Sequence, residues 1–251
     1  MDTISLLYHY SERIFMKQFV VLFLSLGLFF SCVDSTISPI NFSETNVLYE
    51  DNAVIELNIP RADGKTEQSI AINKVIENHI ANMLVFLDEP SDTLQLEYAI
   101  KSFDSEYKSF KEGFGESAMV WDASFDGEVT YQSDVLISIA INSYLNSGGA
   151  HGNANVTFFN FDASGKALTF DEIFTNKESL TSLVKTYFDE ETEGSTINYF
   201  FEESFHLPAN IGFNDEGVIF FYNVYEIASY ADGITEFTVP YSEIEPYLKF
   251  Y

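Results

Sequence analysis

The sequence predicts an α+β fold, with antiparallel sheets and helices packed on one face. Three observations carry that reading. Apolar residues recur at three- and four-residue spacing in two early stretches, as one buried face of a helix requires. The middle of the chain changes to runs of β-branched and aromatic residues separated by turn dipeptides. Strand-like and helix-like runs are segregated rather than alternating, which argues against a doubly wound parallel sheet. A chain of 251 residues with 25 Phe and 15 Tyr can build one or two domains with a sizeable core, and disorder of the bulk is excluded.

Taken in order, the first element is a targeting segment. Phe19 to Phe30 is an apolar run of 12 residues behind Met16 and Lys17. As a helix it would span about 18 Å, short of a bilayer core of about 30 Å, so it reads as the hydrophobic region of a signal peptide. Cys32, the only cysteine, follows Ser31 at its end and resembles a bacterial lipobox; an ordinary signal peptide with a stray cysteine is the alternative. The expectation is a signal peptide over residues 1–31, a true start at Met16, lipidation of Cys32 and a lipid-anchored tether over residues 32–45. That makes the chain a cell-envelope lipoprotein, periplasmic or in the outer membrane, held to the membrane through Cys32. No second cysteine exists to form a disulfide.

Ile55, Leu57 and Ile59 alternate with Glu56 and Asn58 in a half-buried strand closed by Pro60. Ile72, Val75, Ile76, Ile80, Met83, Leu84 and Leu87 predict a helix that stops before Pro90, and Leu96 to Phe110 a second ending near Gly113. Ala118–Phe125 and Glu128–Gln132 read as antiparallel strands joined by a hairpin at Asp126-Gly127, followed by a strand over Val135–Tyr144. Asn146 to Asn155, NSGGAHGNAN, breaks the periodicity and reads as a loop. Val156–Phe161 is a further strand, turned by Asp162 to Gly165, and Lys166–Thr169 returns. Leu180 to Phe188 marks a helix and Ile197–Phe205 another. Asn210–Phe213 and Val218–Val224 form a hairpin, Ile234–Val239 is the last strand, and a short helix ends near Leu248.

Acidic residues outnumber basic ones 39 to 12, for a net charge of −27. Residues 186–248 hold thirteen acidic side chains and no basic one. Such a chain repels phosphate backbones, so nucleic acid is excluded and a basic protein is a better partner. No zinc-type histidine pair, nucleophile elbow or dinucleotide loop occurs, and Asp162, Asp171 and Asp215 sit near turns without a calcium-loop pattern. No metal, no cofactor and no catalytic residue is expected; with so many carboxylates, an acidic pair for glycan hydrolysis carries no information. His79 and Trp121 read as packing residues.

The ligand-binding candidates lie in two loops. His151 sits among Gly148, Gly149 and Gly152, either presenting an imidazole to a ligand or bracing the loop through backbone carbonyls. Tyr225, Tyr230 and Asp232 belong to YEIASYADG, where the tyrosines either contact a partner or pack beneath the loop. The two loops are expected on one side of the molecule.

Asn142 to Asn155, the D-x-x-G-K turn and LTFDEIF at 168–174, then FHLP at 205–208, GVIFFYNVY at 217–225, EIASYADG at 226–233 and FTVPYSEIEPYL at 237–248 carry a resemblance. In that order they are similar to the paired domains of unknown function in the extracellular part of the anti-sigma factor RsiV and in the peptidoglycan deacetylase PdaC. The resemblance implies two associated α+β units, here 46–165 (PdaC/RsiV-like) and 166–251 (RsiV-like), and an envelope location. In RsiV the domain binds lysozyme, and in PdaC it accompanies a peptidoglycan enzyme. The expected function is therefore a non-catalytic binding module for lysozyme or peptidoglycan-related ligands; a peptidoglycan hydrolase using an acidic pair, or a signalling ectodomain, is the alternative.

Overall fold

Strand β1 (Phe42–Glu50) and strand β2 (Val54–Ala62) form an antiparallel hairpin, in which Val47 lies opposite Leu57 and Thr45 opposite Ile59. The structure, a computed structural model, describes residues 40–250 apart from 88, 116–118 and 150. The signal peptide, Cys32 and tether residues 32–39 lie outside the described residues. Residues 42–45, expected in the tether, are instead the first part of β1, where Phe42 pairs with Ala62.

Two helices follow. Thr66 caps α1 (Glu67–Leu84) by accepting from the Ser69 backbone N–H at 3.1 Å. Ile72, Ile76, Ile80 and Leu84 form its buried stripe. Helix α2 (Leu96–Phe114) buries Ala99, Ile100, Phe103 and Tyr107 and ends where Gly115, at φ +83°, donates to the Lys111 carbonyl. Both helices cover the face of β2 that carries Ile55, Leu57 and Ile59. The Asn73 amide pairs with both backbone groups of Ala62, at 2.8 and 2.9 Å, and ties α1 to the end of β2.

Strand β3 (Asp122–Gln132), strand β4 (Leu136–Asn146) and strand β5 (Asn153–Asp162) complete a five-stranded sheet in the order β1-β2-β3-β4-β5. All its pairings are antiparallel except β2 with β3, whose parallel alignment follows from the helical crossover between them. The hairpin expected at Asp126-Gly127 is absent, and β3 runs straight through it. Gly127 serves close approach: a Cβ there would lie 2.6 Å from Pro60 Cδ and 2.7 Å from Ile141 Cδ1, where β3 parts from β2. The expected loop over 146–155 is also shorter, because Asn153 to Asn155 already pair with β4.

The second unit begins with α3 (Phe170–Ile173) and α4 (Lys177–Glu191), preceded by a single bridge between Phe161 and Ala167 rather than a returning strand. The helix expected over 197–205 is a single 3-10 turn, Tyr199–Glu202, with Phe200 and Phe201 at positive φ. Strand β6 (Asn210–Phe213), strand β7 (Gly217–Tyr222) and strand β8 (Thr235–Pro240) form an antiparallel sheet, and α5 (Tyr241–Ile244) follows. Leu180, Val184 and Phe188 of α4 share a core with Phe213, Phe220, Tyr222 and Val239.

Strand β4 shows how the units meet. Ile137, Ile139 and Ile141 face the helices, while Leu136 on the other face belongs to the second core. Ser138 Oγ accepts from the Phe213 backbone N–H at 3.1 Å. Beyond Ala140 that second face opens to solvent at Asn142 and Tyr144. The edge of β5 is closed by asparagine amides instead of a strand. Asn210 accepts from Phe158 N and donates to Val156 O, both at 2.8 Å, while Asn223 accepts from Val156 N at 2.8 Å and donates to Val156 O at 2.9 Å. These amides mimic a neighbouring peptide and cover an edge that would otherwise invite foreign strands.

Candidate functional site

Each candidate loop is built by local constraints. In the β4–β5 connection, the Asn146 side chain accepts from Gly148 N at 3.2 Å and donates to Asp122 Oδ1 at 3.0 Å, anchoring the loop to β3. Gly148 takes φ +83°, and a Cβ on it would stand 3.0 Å from the Trp121 indole nitrogen. Gly152 is buried against Tyr144, and a Cβ there would overlap the hydroxyl end of that ring. Gly149 meets nothing closer than the His151 carbonyl.

His151 is exposed, and its Nδ1 lies 3.0 Å from the Gly152 carbonyl. A carbonyl only accepts, so this nitrogen carries a proton. The imidazole thus braces its own loop and still presents a face and an edge. That face stacks on Tyr230 with ring centroids 4.5 Å apart and planes 25° from parallel, and the Tyr230 hydroxyl points to the Gly152 carbonyl at 3.5 Å.

Tyr230 opens a 3-10 turn, Tyr230–Asp232, that is closed by a capping box: Asp232 Oδ2 accepts from Ser229 N at 3.2 Å and from Ser229 Oγ at 2.6 Å. Asp232 therefore shapes the turn, and its bonded oxygen is not directed to a ligand. Tyr225, at φ +68° and 57% exposed, lies with its ring 5.5 Å from Tyr230. Glu226 fixes this segment by accepting from Asn223 N at 2.9 Å, and Asn223 in turn holds Val156 of β5. The loops expected on one side are thus in contact, through His151, Tyr230 and Tyr225.

Beside them lies a cleft of about 240 Å³. Its floor is two rungs of the open sheet face, Ser124–Tyr144–Ala154 and Asp126–Asn142–Val156, and Val224 and Ile234 form its wall. The sequence reading missed this floor. Its signal is the change in β4 from a run that is apolar except for Ser138 to polar Asn142 and Tyr144 at alternate positions. A larger groove of about 660 Å³ lies between α1, α2 and the β1–β2 hairpin. Its charged rim is already paired, Arg61 with Glu77 and Lys101 with Glu97, which leaves it less polar chemistry to select a ligand.

Other singled-out residues are structural. Trp121 is buried among Phe86, Phe103, Tyr107 and Phe110. His79 packs edge-on to Phe159, and burial holds its pKa below the ordinary imidazole range. Asp162 accepts from Ser164 N, Ser164 Oγ and Lys166 N in its own turn. Among the described residues no three His, Cys, Asp or Glu side chains gather as a metal site would need.

Comparison with known proteins accounts for this layout. A family described as deacetylase PdaC matches residues 46–154, and a protein family of unknown function, DUF3298, matches residues 168–242. A solved DUF3298 family member from Bacteroides fragilis is similar at 21% identity and a TM-score of 0.65, covering 83% of this chain and 93% of its own. A DUF3298 family protein from Pseudomonas aeruginosa is similar at 19% identity and a TM-score of 0.57, covering 84% and 94%. At these identities the likeness concerns the fold. No curated protein gives a significant match. The His151 loop falls in the first matched segment and the Tyr225–Tyr230 loop in the second, so the ring stack joins them. The resemblance read from the sequence holds at the level of segments: residues 46–154 match the PdaC model and residues 168–242 the DUF3298 model.

Proposed function

We propose that this chain is a non-catalytic binding module of the cell envelope, anchored through lipidated Cys32, whose ligand surface is the face shared by the two loops. The observation that carries this is the 4.5 Å stack of His151 on Tyr230 with Tyr225 exposed beside it. Loops on a rigid scaffold are where recognition residues are usually placed, and tyrosine supplies contact area at low entropic cost. His151 Nδ1 and Asp232 Oδ2 are engaged in holding those loops, which suits presentation better than proton transfer. Among the described residues no helix is long and apolar enough to cross a membrane; the anchor in this reading is the lipid on Cys32.

Two ligands fit the reading, lysozyme and peptidoglycan. The base-free stretch 186–248 favours a basic protein, since opposite charge accelerates encounter. Residues 33–251 are titrated with lysozyme and with purified sacculi, as wild type and as Tyr225→Ala with Tyr230→Ala. Binding that the double variant weakens by roughly tenfold or more supports the reading. Binding that vanishes between 0.1 M and 1 M salt, where the Debye length falls from about 10 Å to about 3 Å, and that ignores both tyrosines, reduces it to charge attraction. Release of muropeptides or acetate from the sacculi would make the chain an enzyme.

A further inference from the structure

The cleft beside the ring stack has a chemistry of its own. One wall is apolar, with Ile234 50% exposed and Val224 next to it; Tyr144, 37% exposed, stands at one end of the floor. Ala154 and Val156 give the β5 side of the floor an apolar edge, and the remainder is polar: Ser124, Asp126 and Asn142 project from adjacent strands, Asp126 directly opposite Asn142. Asp126 is partly committed, accepting from Asn58 at 3.1 Å, while the amide of Asn142 lies exposed. No lysine, arginine or histidine lines the cleft, and the net charge of −27 works against any anion. At about 240 Å³ it is smaller than the roughly 300–1,000 Å³ of sites for drug-sized ligands.

A ligand matching these walls is small, uncharged, apolar on one face and rich in hydroxyl groups around its edge. A pyranose ring has that distribution: its axial C–H face packs on aromatic and aliphatic surface, and its hydroxyls pair with amides and carboxylates. We infer that the cleft over Asn142 and Tyr144 is a subsite for one neutral sugar ring of a glycan chain. This deepens the proposed function and rests on it, because the neighbouring rings Tyr230 and Tyr225 would receive the adjoining sugar. Asp126 accepts from a hydroxyl, and the Asn142 amide supplies both a donor and an acceptor. Tyr144 contributes stacking area and is held in place by Gly152, which couples the subsite to the His151 loop.

The test titrates residues 33–251 with chitotetraose and cellotetraose, followed by amide chemical shifts and calorimetry. Saturable binding of at least one tetrasaccharide is expected, with shifts centred on Asn142, Tyr144 and Val224. Tyr144→Ala should weaken it by roughly tenfold, the scale of one lost stacking contact. Asn142→Ala, which removes an exposed side chain without a hydrogen bond among the described residues, should weaken it by roughly three- to tenfold, the worth of one or two neutral hydrogen bonds. Absence of binding by both sugars in the millimolar range overturns the subsite, as does binding that Asn142→Ala leaves unchanged. Lysozyme or sacculus binding that still depends on Tyr225 and Tyr230 would show that the wider reading survives that failure; loss of those interactions as well would remove both.

Discussion

Replacing Asn223 by alanine tests whether the two units are joined through the edge of β5. The side chain makes two bonds to Val156, one accepted from its N–H at 2.8 Å and one donated to its carbonyl at 2.9 Å. The carbonyl keeps a second partner, Asn210 Nδ2 at 2.8 Å, so the truncation orphans the N–H alone. One net hydrogen bond is worth about 1 kcal/mol, and an unsatisfied buried donor costs about 1–3 kcal/mol. Because this site is half-buried and water can reach it in part, we expect a loss of about 2 kcal/mol. For a chain of this size that lowers Tm by about 4–8 °C. The decisive measurement is hydrogen exchange at the Val156 amide, which should lose protection while amides in the centre of β4 keep theirs. Asn223→Asp keeps the acceptor and sets a carboxylate against the Val156 carbonyl. It should be the less stable of the two at neutral pH and recover on acidification, as the protonated carboxyl can donate. Unchanged protection at Val156 in the alanine variant would refute the edge argument.

Asp104→Ala should cost about 3–4 kcal/mol in denaturant unfolding, because this buried carboxylate accepts from Asn52 N and Asn52 Nδ2 at 2.7 Å and from Ala53 N at 2.9 Å, and bonds to a charged group are the stronger kind. Burial alone would raise its pKa, but the bonds from Ala53 and Asn52 outweigh it and hold the group below the usual carboxylate range. Its stabilisation is therefore present above about pH 4 and lost as pH falls through the lower folded value; a flat profile from pH 5 to 2 would contradict this. His79 is the reverse case in sign of charge: burial favours its neutral form. The unfolded chain binds the proton first, so stability declines as pH drops below about 6.5, and His79→Leu should flatten the profile between pH 7 and 5. Gly152→Ala must displace the Tyr144 ring, at about 1–3 kcal/mol of overpacking, and should weaken any binding that uses the loop; an unshifted Tyr144 resonance would disprove the contact.

Periodic elements were legible and contacts between non-neighbouring segments were not. Helices α1 and α2 announced themselves because a buried stripe at 3.6-residue period needs no partner to be recognised. Asp126-Gly127 misled because the same dipeptide serves a hairpin or a close approach, and only Pro60 and Ile141 decide between them. Phe42 to Thr45 escaped as a strand because an edge strand with one half-covered face keeps little alternation. At the site, the glycines marked both loops correctly. Their meeting carries no periodic signal, since His151 and Tyr230 are brought together by amides of Asn210 and Asn223 recognising the β5 backbone. Asp232, a ligand-binding candidate in the sequence reading, serves the turn with its carboxylate, and the spacing Ser229-x-x-Asp232 is the signal of that role.

The same geometry separates speed of encounter from selectivity. Residues 186–248 carry thirteen acidic side chains and no base, a field that draws in cations but is screened within about 10 Å at 0.1 M salt. It lacks the geometric detail to tell one basic partner from another. The ring cluster and cleft are small, short-ranged and shaped by residues from both family segments: Gly152 places Tyr144, His151 places Tyr230, and Asn223 fixes the approach of Val224 and Tyr225 to β5. Separating the units would keep the acidic field of the second and the sheet face of the first but dismantle the surface between them. Under the proposed reading the two matched segments contribute different parts of this surface: the sheet face supplies a mostly polar floor, and the second segment supplies the aromatic and apolar wall.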